Sequence, residues 1–184
     1  VRCLSGEIPG VNSVSAGPLV IGRSEGDLIV GKDEFLSPRH ARIESIRGEV
    51  QITDLDSLNG VWVRIRGERI LSLGHQFMVG RQVFSVVGVN DAEAKRGSPM
   101  PNGTRRLGTT WRPSELCISR LSSSGRVIAR FGLPSDGLRI GRSVGDIVIG
   151  ADTCLSSVHA QITPMGADRI QLRDLSTGNG CWVR

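Results

Sequence analysis

An internal duplication constrains the fold of this 184-residue chain more than any other feature. Residues 19–43 match residues 138–162 at 14 of 25 positions without a gap, and residues 54–64 match residues 174–184 at 7 of 11 positions. The separation of the two copies is close to the common domain size of about 100–150 residues. It far exceeds the repeats of about 20–50 residues that build solenoids. We therefore expect two related domains.

Short apolar segments between glycine-rich turns predict that both copies are all-β. In the first copy, strands are predicted at Ala41–Ile46, Val50–Thr53, Phe77–Val79 and Val83–Val87, and no long window shows helical periodicity. Strands that recur every 8–12 residues or so between turn residues are typical of a β-sandwich or barrel. The predicted fold class is therefore all-β, with two sandwiches joined by a flexible linker.

A polar stretch that contains proline and glycine divides the chain. Residues 89–113 show no apolar periodicity, which favours a flexible linker. The predicted domains are residues 1–88 and residues 114–184. The second copy stops at Arg184, directly after the block that matches residues 54–64. We therefore expect the second domain to be truncated and to lack its last strands.

Composition excludes several classes of function. The net charge is +5, but the basic residues are scattered, and this argues against nucleic acid as the partner. The four cysteines form no CxxC pair, so we expect a reducing compartment, no disulfide framework, no metal site and no cofactor. The sequence shows neither a long apolar run nor a signal-peptide pattern. We predict a cytoplasmic location without membrane insertion.

The two copies retain polar residues that the core of a β-sandwich does not need. Arginine binds phosphate oxygens through two N–H groups, and a serine hydroxyl donates one more hydrogen bond. An asparagine amide can hold a peptide main chain through its donor and its acceptor. Such a set suits a phosphate on an extended peptide. The retained pairs include Arg23/Arg142, Ser37/Ser156, His40/His159 and Asn59/Asn179, together with the aspartates Asp27/Asp146, Asp33/Asp152 and Asp54/Asp174.

The order Gly-Arg, then Ser-x-x-His, then Asn-Gly occurs in each copy and resembles the forkhead-associated (FHA) domain. The resemblance implies a β-sandwich of about eleven strands, with loops at one end that bind phosphothreonine peptides. It also implies a non-catalytic role in kinase-dependent signalling. The partner would be a phosphothreonine-containing protein or peptide, with a protein kinase or its substrate as one class.

The resemblance also assigns roles to individual residues. It implies that the two arginines contact the phosphopeptide, that the two serines bind the phosphate, and that the two asparagines bind the adjacent main chain. The residues expected to support these loops are Gly22, His40, Gly60, Gly141, His159 and Gly180.

Some auxiliary positions depart from the family pattern. Leu58 and Gly178 precede the asparagines, where the family often has a polar residue. A basic residue often precedes the histidine, which Arg39 satisfies and Val158 does not; Ser157 offers the second copy an extra hydroxyl. Losing one charge-assisted hydrogen bond costs roughly 1.5–3 kcal/mol. We expect weak-to-moderate affinity at both sites, with the first site tighter.

Other interpretations remain open at this point. One alternative is that the arginines only brace loops through the retained aspartates. Trp62 and Trp182 are expected to pack at a strand start. The alternative function is a phosphate-independent scaffold or assembly domain that uses the same fold. A hydrolase built on Ser37 and His40 is disfavoured, because a spacing of three within one loop is wrong for a supported nucleophile. In addition, no third group in the sequence clearly orients the histidine.

Overall fold

The computed structural model describes residues 17–88, 116–176 and 178–184. Every regular element among these residues is a β-strand, which confirms the all-β class. Nothing in these ranges forms a helix with the length and apolar character needed to span a membrane. The predicted linker at residues 89–113 lies outside the described residues, as do residues 1–16 of the first predicted domain.

The described residues contain fifteen strands, which divide between two compact units at Trp62 and Val63. The four strands predicted in the first copy are present. Residues 68–72 form a strand that was not predicted, because Glu68 and Arg69 interrupt the apolar pattern there. The strands of the first unit are β1 Leu19–Gly22, β2 Leu28–Ile29, β3 Ala41–Ile46 and β4 Glu49–Asp54. Those that follow are β5 Val63–Arg64, β6 Glu68–Ser72, β7 Gln76–Val79, β8 Gln82–Gly88, β9 Leu116–Leu121, β10 Val127–Gly132, β11 Leu138–Gly141, β12 Ile147–Val148, β13 Ala160–Pro164, β14 Arg169–Asp174 and β15 Cys181–Val183.

The described residues of the first unit, 17–62, form one four-stranded sheet in the order β2-β1-β3-β4. β1 pairs with β2 in parallel and with β3 antiparallel, and β3 pairs with β4 antiparallel. Leu19, Ala41 and Ile43 are buried in this sheet. On β4, however, Val50 is 71% exposed and Ile52 is 42% exposed. The apolar side of β4 is therefore largely uncovered.

The second unit is a sandwich of two sheets around one core. Six strands follow the order β10-β9-β8-β7-β15-β5, and five follow the order β12-β11-β13-β14-β6. Phe77 and Phe84 stack in the core with ring centroids 5.4 Å apart, beside Ile118 from the same sheet. Ile140 and Leu172 reach the core from the other sheet, and both are fully buried.

Strands that follow the first copy in sequence complete the second copy in space. β6 pairs with β14, β7 pairs with β15, and β8 pairs with β9, all antiparallel. Ile170 and Leu172 of β14 are 0% exposed, whereas Val50 and Ile52 hold the matching positions in the first copy. The last strands that we expected the second domain to lack are thus supplied by residues 63–88. The domain boundaries at residues 88 and 114 stay predictions.

Candidate functional site

A close backbone contact fixes where each retained arginine lies. The N–H of Arg23 donates to the carbonyl of Ser37 at 2.9 Å, and that of Arg142 donates to Ser156 at the same distance. A Cβ on the preceding Gly22 would collide with the carbonyl oxygen of Pro38, and Gly141 faces the equivalent carbonyl in the second copy. Glycine is needed at this position because a side chain would force apart the loops that carry arginine and serine.

The histidine connects the serine loop to the Asn-Gly turn. His40 is buried, with Nδ1 accepting the N–H of Ser37 at 3.1 Å and Nε2 3.1 Å from the carbonyl oxygen of Gly60. His159 makes the same contacts with Ser156 at 3.0 Å and with Gly180 at 3.1 Å. One nitrogen therefore accepts and the other donates, and this fits a neutral ring that braces two loops.

The asparagine side chain ties its turn to the loop before the serine. Asn59 Nδ2 donates to the carbonyl of Phe35 at 2.8 Å, and Asn179 Nδ2 donates to that of Cys154 at 2.9 Å. An asparagine amide has two N–H donors and one acceptor oxygen. In the part of the chain that the structure describes, a second N–H and the oxygen thus remain on each exposed amide for a peptide main chain. The Asn-Gly turn needs its glycine as well, because Gly60 and Gly180 both have a φ of 74°.

Tryptophan has a role at this turn that sequence reasoning missed. Trp62 Nε1 donates to the carbonyl of Asn59 at 2.9 Å, and Trp182 Nε1 donates to that of Asn179 at 3.1 Å. Each indole therefore holds the main chain of the candidate binding residue. The sequence signal was the retention of a tryptophan three residues after the asparagine in both copies.

The serine hydroxyls differ between the two copies. Ser37 Oγ accepts the N–H of Leu58 at 3.0 Å, so its hydrogen remains available to donate. In the part of the second copy that the structure describes, no such bond reaches Ser156 Oγ. There the Ser157 and Ser143 hydroxyls lie 2.7 Å apart and share a hydrogen bond.

The arginine side chains are exposed and are not held by the retained aspartates. Among residues 17–88 and 116–184 without Thr177, no hydrogen bond or ion pair engages the guanidinium of Arg23, Arg39 or Arg142. The aspartates accept main-chain N–H groups instead. Asp27 accepts the N–H of Val20 at 2.8 Å, and Asp146 accepts that of Arg139 at 2.7 Å. These positive charges are therefore available to an anionic ligand.

A third retained aspartate shapes the turn beneath the asparagine. Asp174 accepts the N–H of Ser176 at 2.8 Å and of Cys181 at 3.1 Å, and Asp54 makes the equivalent turn in the first copy. Burial by itself would raise the pKa of Asp174. The hydrogen bonds from Ser176 and Cys181 outweigh it, so the pKa lies below the ordinary value of 3.8. The carboxylate is thus charged at neutral pH.

His159, Asp174 and Cys181 form a compact cluster whose possible ligand atoms lie within 4.8 Å of one another. The histidine nitrogens and the Asp174 oxygens are already in hydrogen bonds with the main chain. Burial, together with the charge of Asp174, raises the pKa of the Cys181 thiol far above its ordinary value. A protonated thiol is a poor metal ligand. The hydrogen bonds of His159 and Asp174 to the main chain instead support a role in stabilising the turn.

Two exposed apolar side chains flank the first site. Phe35 is 76% exposed and Leu58 is 87% exposed. Phe35 carries the carbonyl that Asn59 binds, and Leu58 carries the N–H that Ser37 accepts. The matching residues in the second copy are Cys154 and Gly178. The two sites therefore differ in apolar surface, although the main-chain contact of the arginine and the contacts of the histidine and the asparagine are the same in both copies.

Comparison with known proteins identifies the family. No significant match to the chain was found among curated proteins or among solved structures. The family model for the FHA domain matches residues 19–80 and 138–184, which together make up more than half of the chain. The first of these segments includes strands that pair with the second copy in the structure. The chain belongs to the FHA domain family, whose members are phosphopeptide-binding protein-interaction modules that generally lack catalytic activity.

Proposed function

We propose that this chain is a non-catalytic protein that recognises phosphothreonine peptides in kinase-dependent signalling. One observation carries the proposal: in each copy the same hydrogen bonds gather an exposed arginine, a serine hydroxyl and an asparagine amide. Arginine supplies a fixed charge for phosphate, and the hydroxyl supplies a further donor. The partner is a phosphothreonine-containing protein, with a kinase or its substrate as one class, in the cytoplasm.

The roles of the individual residues belong to the same proposal. Arg23, Ser37 and Asn59 bind the ligand in the first copy, and Arg39 adds a second exposed charge. In the second copy the corresponding residues are Arg142, Ser156 and Asn179. Ser157 contributes less than a free hydroxyl would, because its Oγ shares a hydrogen bond with Ser143.

Titration of the full chain with matched peptides tests the proposal. A phosphothreonine peptide should bind, whereas the unmodified peptide should bind at least tenfold more weakly, and a phosphoserine peptide measures the preference for threonine. Arg23→Ala combined with Arg142→Ala should remove most of the phosphate-dependent binding. Each lost charge-assisted bond is expected to cost roughly 1.5–3 kcal/mol. Equal affinity for the phosphorylated and unmodified peptides would reject the proposal.

A phosphate-independent scaffold is the second candidate. It is favoured by the uncovered apolar side of β4, where Val50 is 71% exposed, and by the apolar Leu58 beside the first site. Such a protein would keep its partner after phosphatase treatment. Loss of the partner on treatment would favour phosphopeptide recognition instead.

A further inference from the structure

Arg64 belongs to the first copy by sequence but lies at the loop of the second. It ends β5, which pairs with β15 so that Arg64 is opposite Trp182. Its Nη2 atom donates to the carbonyl oxygen of Gly178 at 2.6 Å. Gly178 directly precedes Asn179, the candidate residue for the peptide main chain. An exposed cation is therefore attached to the turn that carries the second site.

The glycines of this turn make room for the guanidinium. A Cβ on Gly180 would collide with Nε of Arg64 and would lie 2.9 Å from both Cζ and Nη2. The planar group thus lies against the backbone of the turn. A guanidinium has five N–H donors, so the bond to Gly178 leaves others for a second acceptor. The turn holds the cation in place without using up its donors.

The second copy has lost the other charge that the first copy keeps. Arg39 precedes the histidine in the first copy, whereas Val158 holds that position in the second. Resting on the proposed function, we propose that Arg64 is the second phosphopeptide-binding cation of the site formed by Arg142, Ser156 and Asn179. Each site then has two arginines, and the expected difference in phosphopeptide affinity between the first and the second site becomes smaller.

The test measures the second site alone within the full chain. Arg23→Ala and Ser37→Ala are placed in every variant to silence the first site. The probe is a fluorescent pool of phosphothreonine peptides with random flanking residues, alongside its unphosphorylated twin. Arg64→Ala and Arg64→Lys are compared with Arg142→Ala as the positive control. Arg66→Ala is the matched control, because it removes the same charge from a neighbouring exposed position.

Arg64→Ala is expected to weaken phosphopeptide binding about tenfold and to lower its dependence on salt concentration. Arg64→Lys keeps the charge but lacks the planar guanidinium. Its phosphopeptide affinity should therefore lie between that of Arg64→Ala and that of the protein with Arg64. Binding of the unphosphorylated pool should change little, which separates a phosphate contact from a general loss of structure. A thermal melt checks that the β5–β15 pairing survives each substitution.

The outcomes separate this inference from the proposed function. If Arg142→Ala weakens binding while Arg64→Ala behaves like Arg66→Ala, the assignment of Arg64 is overturned and the second site stands. If neither Arg142→Ala nor Arg64→Ala changes binding, the second site does not recognise phosphate, and both ideas fail for this copy. Equal loss of phosphorylated and unphosphorylated binding in Arg64→Ala would also overturn the inference, since a structural role would produce that result.

Discussion

The indole N–H of Trp62 donates a hydrogen bond to the main-chain carbonyl of Asn59 at 2.9 Å. This bond holds the turn that carries Asn59, the proposed main-chain-binding residue of the first site. Trp62→Phe keeps an aromatic ring but removes the donor. Since one neutral hydrogen bond contributes about 0.5–1.5 kcal/mol, peptide affinity at the first site should fall about two- to tenfold. Fluorescence anisotropy with the second site silenced by Arg142→Ala measures the change.

The equivalent substitution in the second copy provides the control. Trp182→Phe should leave the first site unaltered, because the Trp182 indole donates to Asn179. If Trp62→Phe binds as tightly as the unsubstituted chain, the indole bond does not position Asn59 for binding.

Peptide selectivity should differ between the two sites. Phe35 and Leu58 place exposed apolar surface beside Asn59 and Ser37, whereas the second copy has Cys154 and Gly178 at the matching positions. Peptides with a large apolar residue close to the phosphothreonine should therefore prefer the first site. Burying one such side chain contributes about 1.5–3 kcal/mol at most.

A phosphopeptide library scored against single-site variants measures this preference. Leu58→Gly and Phe35→Ala should make the first site indifferent to apolar residues while phosphate-dependent binding persists. An unchanged library profile in both variants would contradict the prediction. It would show that these side chains do not contact the peptide.

Acid should destabilise the second unit through the carboxylates of Asp152, which is buried, and Asp174, which is half-buried. Burial raises the pKa of Asp152, but hydrogen bonds from Gln82, Arg81 and Cys154 outweigh it, and the pKa falls below 3.8. The pKa of Asp174 is also below 3.8, because its hydrogen bonds outweigh the effect of burial. A depressed folded-state pKa stabilises the fold above the unfolded pKa, and this stability is lost as pH falls through the folded value. The urea concentration at the midpoint of unfolding should therefore decrease when the pH falls below about 4.

Asparagine substitutions check the origin of this acid sensitivity. Asp152→Asn and Asp174→Asn should lower stability at pH 7 and flatten its dependence on pH below 4. Asp136→Asn, at an exposed turn position, is the control for loss of a charge. If the stability of these variants falls as steeply below pH 4 as that of the unsubstituted chain, groups other than Asp152 and Asp174 cause the loss of stability in acid.

The pairing of β6 can be trapped covalently. Ile70 is the cross-strand partner of Gln171. Paired residues on antiparallel strands lie about 4.5–5.5 Å apart at Cα, within the range that a disulfide spans. Ile70→Cys with Gln171→Cys should therefore form a disulfide that mass spectrometry can identify. The matched pair is Ile70→Cys with Gln51→Cys, because Gln51 holds the equivalent position in the first copy. Efficient trapping of that pair instead would support the boundary predicted at residue 88.

Local sequence pattern was enough to identify the strands and most of the candidate site. Apolar alternation predicted β3 and β4, because side chains alternate across a strand. The duplication pointed to the arginine, serine, histidine and asparagine of each loop set, since a core has no use for them. The hydrogen bond from Trp62 to Asn59 was not predicted, because a sequence does not distinguish a tryptophan that only packs from one that also donates a hydrogen bond.

By itself, the sequence determined that the chain is all-β, that it is duplicated and that it carries the FHA residue set twice. Only the tertiary structure decided which copy receives strands β5–β8. The physical reason is that β4 and β14 present similar edges and apolar sides, so local pattern does not distinguish between them. In the structure the strands bury Ile170 and Leu172 and leave Val50 and Ile52 exposed. The same pairing brings Arg64 to the second site, a placement that no spacing in the sequence reveals.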